Sequence, residues 1–551
     1  MIIILFRTSL IDQKTAEISS QADYNYTLAC KSVAEQIQEQ EDLSAKEISK
    51  IVKDIASKYH LSTLPKNESI IEYLPDNSHY RKVLMVRPTK TASGIAVITI
   101  MPKPFECPQG RCIYCPGGIE FNTPLSYIGT EPSSRSAQKY NYDPYRQVQS
   151  MLFQLRARGH DTGKVELVIV GGTFPFMPVQ YQKDFSKLCF DALNETEPSA
   201  SLQEAIINNQ TAKNRCVGFT VETKPDYCKQ RQIDIMLELG VTRIEIGVQS
   251  LRDEVYKAVN RGHTLNDVIE SFQIARDAGY KIVAHMMPGL PNSSPEKDIE
   301  DFQTLFQDSK FKPDMLKIYP TLVVKHTGLY KLYMQGKYQP YSDSDLMHVL
   351  FEVKKAVPSW VRIMRIQREI EPIDIIAGPK SGNLRQVVLK KMHRMGLRCK
   401  CIRCREAGLQ RRYLSDKEIK MNRIDYLASN GLEVFLSIES IDELTILGFL
   451  RLRKIMDNCR IELKDYGSGS SCAAIVRELH VYGQMLSVGK ASDKESSQHK
   501  GYGIRLMEEA EKITKEEFGV HKLSVISAVG TREYYKKLGY AKNGPYVSKL
   551  L

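Results

Sequence analysis

Long apolar runs are missing from this chain. No stretch of 18 apolar residues occurs in it, so no segment has the length of a membrane-spanning helix. The opening Met1-Ile-Ile-Ile-Leu-Phe6 is too short to span and is followed by no small-residue cleavage site, which makes the cytoplasm the expected compartment. Cysteine is scarce too, 12 in 551 residues. Six stand singly, Cys30, Cys189, Cys216, Cys228, Cys459 and Cys472, and read as small buried hydrophobes in a reducing compartment. The other six form two clusters, and clusters read as metal ligands. Acidic residues are also in deficit, 65 against 77 basic ones, for a net charge of +12. Such a surplus permits a polyanionic partner without proving one.

The first cluster is Cys107, Cys112 and Cys115, directly after the strand-like run Ile95–Ile100. Three thiolates on one short loop can hold three corners of an iron–sulfur cube, leaving the fourth iron free to bind a small molecule. A structural zinc site wants four protein ligands, and no fourth Cys or His lies nearby in sequence. The second cluster, Cys399, Cys401 and Cys404, needs one further ligand to complete a tetrahedral zinc site. His326, in the loop after Tyr319-Pro-Thr, is the candidate, with His393 as the alternative. This second cluster sits in a basic run. From Lys380 to Arg412 there are eleven Lys or Arg and one acid, Glu406, a one-sidedness that favours nucleic acid over a plain solvated face. Lys390, Lys391, Arg394 and Arg398 are its candidate phosphate contacts.

At this length several domains are expected. Residues 1–80 read as a helical region carrying a basic amphipathic helix with a candidate RNA-facing side, because apolar residues recur at helical spacing from Leu43 to Tyr59 with lysines between them. Residues 81–374 alternate strand-like and helical stretches. The strands are Ile95–Ile100, Val165–Val170, Cys216–Glu222, Arg243–Val248, Lys281–Met286 and Met315–Tyr319. Such alternation implies a parallel sheet with helices outside, and six units make a partial barrel rather than a closed eight-stranded one. Polar and Gly-rich residues gather just after the strands: the cysteine loop, Gly171-Gly172-Thr173, Glu222, Gln249 and Pro288-Gly289. Residues 375–425 read as a basic, cysteine-containing connector. Residues 426–551 read as a separate, largely antiparallel α/β module.

Inside that module Gln498-His499-Lys500-Gly501-Tyr502-Gly503 opens a helix. Glycines there let backbone N–H groups approach a diphosphate, and the helix N-terminus favours its charge. The segment resembles the acetyl-CoA pyrophosphate loop of the GNAT acyltransferases, and Tyr534-Tyr535 follows where those enzymes carry a tyrosine near the thioester. Ordinary packing is the competing reading for each tyrosine.

Taken together, Ser93-Gly-Ile-Ala-Val-Ile-Thr, Cys107 to Gly118, Gly171-Gly-Thr-Phe, Lys224-Pro-Asp-Tyr-Cys, Glu245-Ile-Gly-Val-Gln-Ser, Tyr319-Pro-Thr, Arg477-Glu-Leu-His-Val-Tyr-Gly and Gln498 to Gly503 resemble the family of the Elongator catalytic subunit. The resemblance covers nearly the whole chain. It implies an α/β fold of a partial (β/α)6 radical-SAM barrel followed by a GNAT-type acetyltransferase domain, with a helical N-terminal region. It also implies carboxymethylation of tRNA wobble uridine at C5, using a 4Fe–4S cluster on Cys107, Cys112 and Cys115, S-adenosylmethionine (SAM) and acetyl-CoA. Gly171, Gly172 and Thr173 would line the methionine end of SAM, with Glu222 and Gln249 toward its ribose or adenine. Gln498, His499, Lys500, Gly501, Tyr502, Gly503 and Tyr535 would hold acetyl-CoA, and Tyr534 or Tyr535 would assist its chemistry. The partner would be the tRNA anticodon stem-loop, with Tyr319, Tyr330 and Tyr333 as candidate stacking platforms for an unstacked base. An electron donor is needed. A homodimer and accessory subunits stay open. Two departures stand out: four residues rather than three separate the first two cysteines, and Gly-Gly-Thr replaces Gly-Gly-Glu. A protein lysine acetyltransferase is the alternative activity, but it leaves the cysteine loop unexplained. A non-catalytic RNA-binding scaffold would require both cofactor sites to be vestigial.

Overall fold

A computed structural model describes residues 21–75, 77–410, 412, 414–456, 459–467, 472–482 and 501–551. It divides into two compact units, one drawn from residues up to 91 together with 150–162, the other from 92–149 and 163–551. In the first unit a helix runs through residues 21–38 and a second spans Ala45–Lys58. Ser44 caps the second helix: its side chain accepts from the Glu47 N–H, and the Glu47 carboxylate accepts from the Ser44 N–H at 2.8 Å. This reciprocal pair satisfies two otherwise orphaned donors. Ile48, Val52 and Ile55 recur at helical spacing and pack with Val33, Ile37, Ile70 and Leu84, while Lys46, Lys50 and Lys53 remain exposed.

The second unit opens with six parallel strands: β1 (Ala96–Ile100), β2 (Lys164–Ile169), β3 (Arg215–Thr223), β4 (Arg243–Gln249), β5 (Lys281–Met286) and β6 (Met315–Ile318). A two-residue strand β7 (Val323–Val324), strand β8 (Arg362–Arg365) and strand β9 (Ile375–Ala377) follow, β7 pairing with β9. The main sheet is seven-stranded, in the order β1-β2-β3-β4-β5-β6-β8, and open between its end strands. Helices cover it, so β2 and β5 are buried almost throughout and read as apolar runs. All six expected strands are present, and β8 joins them as a seventh at the edge. Arg-Ile-Met-Arg carries little strand signal, and as an edge strand it buries only Ile363 fully.

The second sheet comprises β10 (Ile419–Ala428), β11 (Gly431–Ser440), β12 (Ile446–Lys454), β13 (Ala474–Val481), β14 (Lys522–Val525), β15 (Ala541–Asn543) and β16 (Tyr546–Leu550). Its order is β10-β11-β12-β13-β14-β16-β15, antiparallel except for the parallel pair β13 and β14. It begins at Ile419, inside the segment read as a connector. That segment also holds the helix Leu384–Arg394. Cys459 and Cys472, expected as lone buried thiols, form a disulfide. They stand 13 residues apart with their Cα atoms at 5.9 Å, a pairing that sequence spacing does not reveal.

The second sheet docks where the barrel strands begin. The Tyr546 hydroxyl donates to the Ala278 carbonyl at 2.9 Å, and Arg451 donates to the Trp360 carbonyl at 2.8 Å, just before β8. Arg451, Arg453 and Arg477 are wholly buried here, against Asp277, Asp314, Glu433 and Glu478.

Candidate active site

The cysteine loop leaves β1 at the end where the parallel strands finish, the usual position for chemistry in such sheets. Cys112 and Cys115 are buried, and Cys107 is half-buried. Burial pushes the Cys115 thiol up to about 12 and raises that of Cys107, so positive charge must be supplied before the loop can present thiolates. Arg261 supplies part of it. Arg261 approaches Cys112 Sγ at 3.8 Å and donates to the Gly247 carbonyl at 2.7 Å. Burial alone would lower its pKa, but Tyr114, Cys112 and Cys107 around it hold it above the ordinary value. Its Nε has no hydrogen-bond partner. The Ser126 N–H donates to Cys115 Sγ at 3.1 Å, and the Gln109 amide reaches Cys112 Sγ at 3.7 Å. A cluster core of iron ions is the charge these thiols lack, so the loop fits the group.

Glycines and polar side chains from the next strands face this loop. Gly171 and Gly172 have φ of 115° and 110°, in the region that favours glycine. A Cβ on Gly171 would meet Pro124 at 3.0 Å, and one on Gly172 would meet the Phe105 ring at 3.6 Å. The Thr173 hydroxyl lies beside the Cys107 thiol. Gln249 ends β4 at φ 72°, rare for a side-chain-bearing residue, and its buried Oε1 has no partner. The Gly171 N–H donates to Glu222 at 3.2 Å. Burial pushes the Glu222 carboxyl up, opposed by His285 and Lys317. Next to it His285 Nε2 lies 2.8 Å from Glu245, and Lys317 pairs with the same carboxylate. Despite burial, Lys317 and His285 hold Glu245 well below the usual carboxylate range. Tyr319 packs edge-on to His285, centroids 5.3 Å apart. Tyr330 and Tyr333 are half-buried against the cysteine loop.

A second slot forms in the other sheet. β13 pairs with β14 only from Ala474 to Val476, and beyond that point Gly503, Leu479 and Tyr534 converge. A Cβ on Gly503 would lie 2.8 Å from Tyr534 Oη and 3.8 Å from Leu479. Gly501, at φ 79°, caps the helix Tyr502–Lys512. The two expected tyrosines separate: Tyr535 is 6% exposed and belongs to the core, while Tyr534, at 37%, lies at the slot. Gln498, His499 and Lys500 lie outside the described residues.

The ligand atoms of Cys399, Cys401 and Cys404 lie within 4.8 Å of one another. The converging set does not include His326. The loop that carries His326 is tied to the cysteine loop by the Leu329 N–H, which donates to the Ile113 carbonyl at 2.7 Å, and its exposed ring rests on Phe121 at 5.3 Å. His393 is exposed on its helix. The neighbour that does reach the triad is the buried Lys354, with Nζ at 3.3 Å from Cys399 Sγ and 3.7 Å from Cys404 Sγ. Lys390, Lys391, Arg394 and Arg398 are all exposed, whereas Arg405 and Glu406 from the same run are buried in ion pairs with Glu439 and Arg362.

Three family descriptions match the chain: the ELP3 N-terminal domain over residues 26–92, the Radical SAM superfamily over 104–305 and the Radical SAM C-terminal domain over 313–394. Elongator complex protein 3 of Homo sapiens is 44% identical over 521 residues, covering 92% of this chain and 93% of that one. The tRNA uridine(34) acetyltransferase of Methanocaldococcus infernus is 44% identical over 498 residues, covering 88% and 92%. The chain belongs to the Elongator complex protein 3 family. The solved archaeal Methanocaldococcus infernus Elp3, with residues 1–46 deleted, superposes with a TM-score of 0.73 at 42% identity, covering 83% of this chain and 100% of that one.

Within this family fold, sequence reasoning missed Arg261, His285, Lys317 and Lys354. His285 and Lys317 left a signal: each interrupts an apolar run in a strand buried on both faces, where an ionisable group must find a partner. Arg261, in a loop after a helix, left none.

Proposed function

We propose that the chain carboxymethylates C5 of the wobble uridine of tRNA, joining an acetyl-CoA-derived carbon to the base under radical-SAM chemistry. The observation that carries this reading is the coexistence, in one chain, of a three-thiol loop at the strand ends of a radical-SAM barrel and a glycine slot in a second sheet. We divide the chain by role into 1–80, a helical region that would contact RNA through the exposed lysines of its Ala45–Lys58 helix; 81–374, the barrel; 375–425, a basic segment holding a zinc-type thiol triad; and 426–551, the acetyl-CoA domain of GNAT type. When bound, the cluster and SAM supply a carbon-centred radical able to take hydrogen from the acetyl methyl group.

The residues do the rest. Cys107, Cys112 and Cys115 would hold the cluster, and Arg261 would offset its charge. Gly171 and Gly172 leave room for the methionine end of SAM, and the unpartnered Gln249 Oε1 offers an acceptor on its nucleoside side. The Gly501–Gly503 turn and Tyr534 would hold the acyl carrier. Lys390, Lys391, Arg394 and Arg398 would contact tRNA phosphates. Cys30, Cys189, Cys216 and Cys228, outside both clusters, are buried free thiols, which suits the reducing cytoplasm as its place of work. Lysine acetylation is disfavoured, since it has no use for the cysteine loop.

The test is to incubate reduced, cluster-reconstituted protein with SAM, acetyl-CoA and unmodified tRNA, and to read the nucleosides by mass. 5-Carboxymethyluridine at the wobble position is expected. Cys112→Ala should drop iron content and SAM cleavage to background while tRNA binding persists. A Cys112→Ala protein that still cleaves SAM at the parental rate would sink the cluster assignment. If the isolated chain fails and added Elongator-type subunits or a second copy restore turnover, the need for partners is established.

A further inference from the structure

We propose that Arg477 is a positioning residue of the acyl-carrier slot, and that Asp314 of the barrel, by gripping it, sets the shape of that slot. The proposal rests on the acetyl-CoA reading of the second sheet. It starts from the register of β13. Arg451 of β12 faces Glu478 and Leu452 faces Val476, so Arg477 is the extra residue of a β-bulge. A bulge bends its strand and adds local twist. On its other side β13 pairs with β14 only as far as Val476. Pairing between β13 and β14 therefore stops just where the bulge sits, with the Ile526 N–H still donating to the Val476 carbonyl at 3.2 Å, and beyond that point Leu479, Gly503 and Tyr534 meet.

The Arg477 side chain leaves through the opposite side and is fully committed. Its Nε donates to Glu433 at 3.1 Å. Nη1 donates to the Tyr280 carbonyl and to Asp314 Oδ2, both at 2.8 Å. Nη2 donates to Asp314 Oδ1 at 2.6 Å and to Glu433 at 2.8 Å. All five guanidinium donors are thus used, at zero exposure, and the fork on Asp314 is bidentate, which fixes orientation as well as distance. Asp314 is itself immobilised. Its Oδ2 accepts the Ile282 N–H at 2.9 Å, and its backbone pairs with Ile282 and Arg362, tying together the starts of β5, β6 and β8. A bulge residue of the second sheet is therefore clamped by a carboxylate that belongs to the barrel frame.

Stability is a weak reason for such a clamp. Buried ion pairs pay heavily in desolvation, and well-packed apolar residues in their place are often no less stable. What the clamp supplies that apolar packing would not is a fixed direction for one residue, at the point where the slot opens. Docking of the two domains and acyl-carrier binding then become one arrangement.

Two isosteric variants on the barrel side separate this role from general adhesion. Asp314→Asn halves the acceptors of the Arg477 fork. Asp277→Asn removes the charge opposite the neighbouring Arg453, whose Nε and Nη2 both donate to Asp277 Oδ1, at 2.8 and 2.5 Å, and which pairs with Ile475 in regular register outside the bulge. Isothermal titration with acetyl-CoA should show at least a tenfold weaker Kd for Asp314→Asn and a change within twofold for Asp277→Asn. Both should have lower thermal midpoints, and SAM affinity should be unaltered in each. Amide exchange at Leu479–Val481 should accelerate in Asp314→Asn alone. If Asp314→Asn does not fold, Arg477→Lys, which keeps the charge and loses the fork, is expected to give the same ordering. Equal weakening in the two Asn variants, or unchanged acetyl-CoA affinity in Asp314→Asn or its substitute, would overturn the proposal while leaving the slot assignment standing. A parental protein that binds no acetyl-CoA would overturn the slot and the proposal together.

Discussion

At Gly503 the space of one methyl group decides whether the slot stays open. A Cβ there would stand 2.8 Å from Tyr534 Oη but 3.7 Å from the ring carbon that carries it. The first distance is a clash and the second an ordinary contact. Gly503→Ala should therefore push the tyrosine into the slot and weaken acetyl-CoA binding about tenfold, the low end of the roughly 1–3 kcal/mol that overpacking costs. Tyr534→Phe removes only the clashing oxygen. In the Gly503→Ala background it should recover most of the lost affinity, and a double-mutant cycle by titration measures the coupling. No recovery would mean that the added methyl meets the ligand itself. The same pair shows where residue-level reading stops. Two adjacent tyrosines are equivalent candidates in sequence, and only helix rotation sends Tyr535 into the core and Tyr534 to the slot.

The helix Leu384–Arg394 separates its two functions by face. Leu384, Val388 and Met392 are buried at a spacing of four, while Lys390, Lys391 and Arg394 are exposed. Reversing these three to Glu should leave the fold intact and weaken tRNA binding strongly. Each lost phosphate contact lowers the slope of log affinity against log salt by about 0.7 to 0.9, so a loss of about two to three in slope is expected. An unchanged slope in a salt titration would return these residues to a solvated face. Elements of this kind were legible wherever apolar spacing was regular. The six buried barrel strands announced themselves as apolar runs, and the cysteine loop by its spacing. β8 did not, because an edge strand of Arg-Ile-Met-Arg has no alternation to read. β10 was hidden in a basic segment whose charge suggested a linker. The Cys459–Cys472 pair and the Lys354 contact to the cysteine triad depend on tertiary approach, to which no local pattern corresponds.

Across the second unit, barrel and second sheet share a buried ionic interface. Arg453 and Arg477 of the sheet pair with Asp277 and Asp314 of the barrel, and both arginines also share Glu433. Cutting one side of such a pair leaves an unpaired buried charge, typically about 3–5 kcal/mol, so sliding the sheet within the interface, which would unpair these groups while they stay buried, is expensive. The cluster loop and the acyl slot of one chain are then parts of one body, and proximity within that body is what makes transfer efficient. This predicts the outcome of a mixing experiment. Cys112→Ala should bind acetyl-CoA but cleave no SAM, and Gly503→Glu should hold iron but bind no acetyl-CoA. An equimolar mixture, each at a concentration where the parental enzyme turns over readily, should form no 5-carboxymethyluridine, because no chain in it carries both sites. Separate single-variant controls fix the background, and the parental protein at half concentration fixes the upper limit. Wobble carboxymethylation in the mixture approaching that limit would show acyl delivery between chains, and would shift the functional unit from the single chain to an assembly of two.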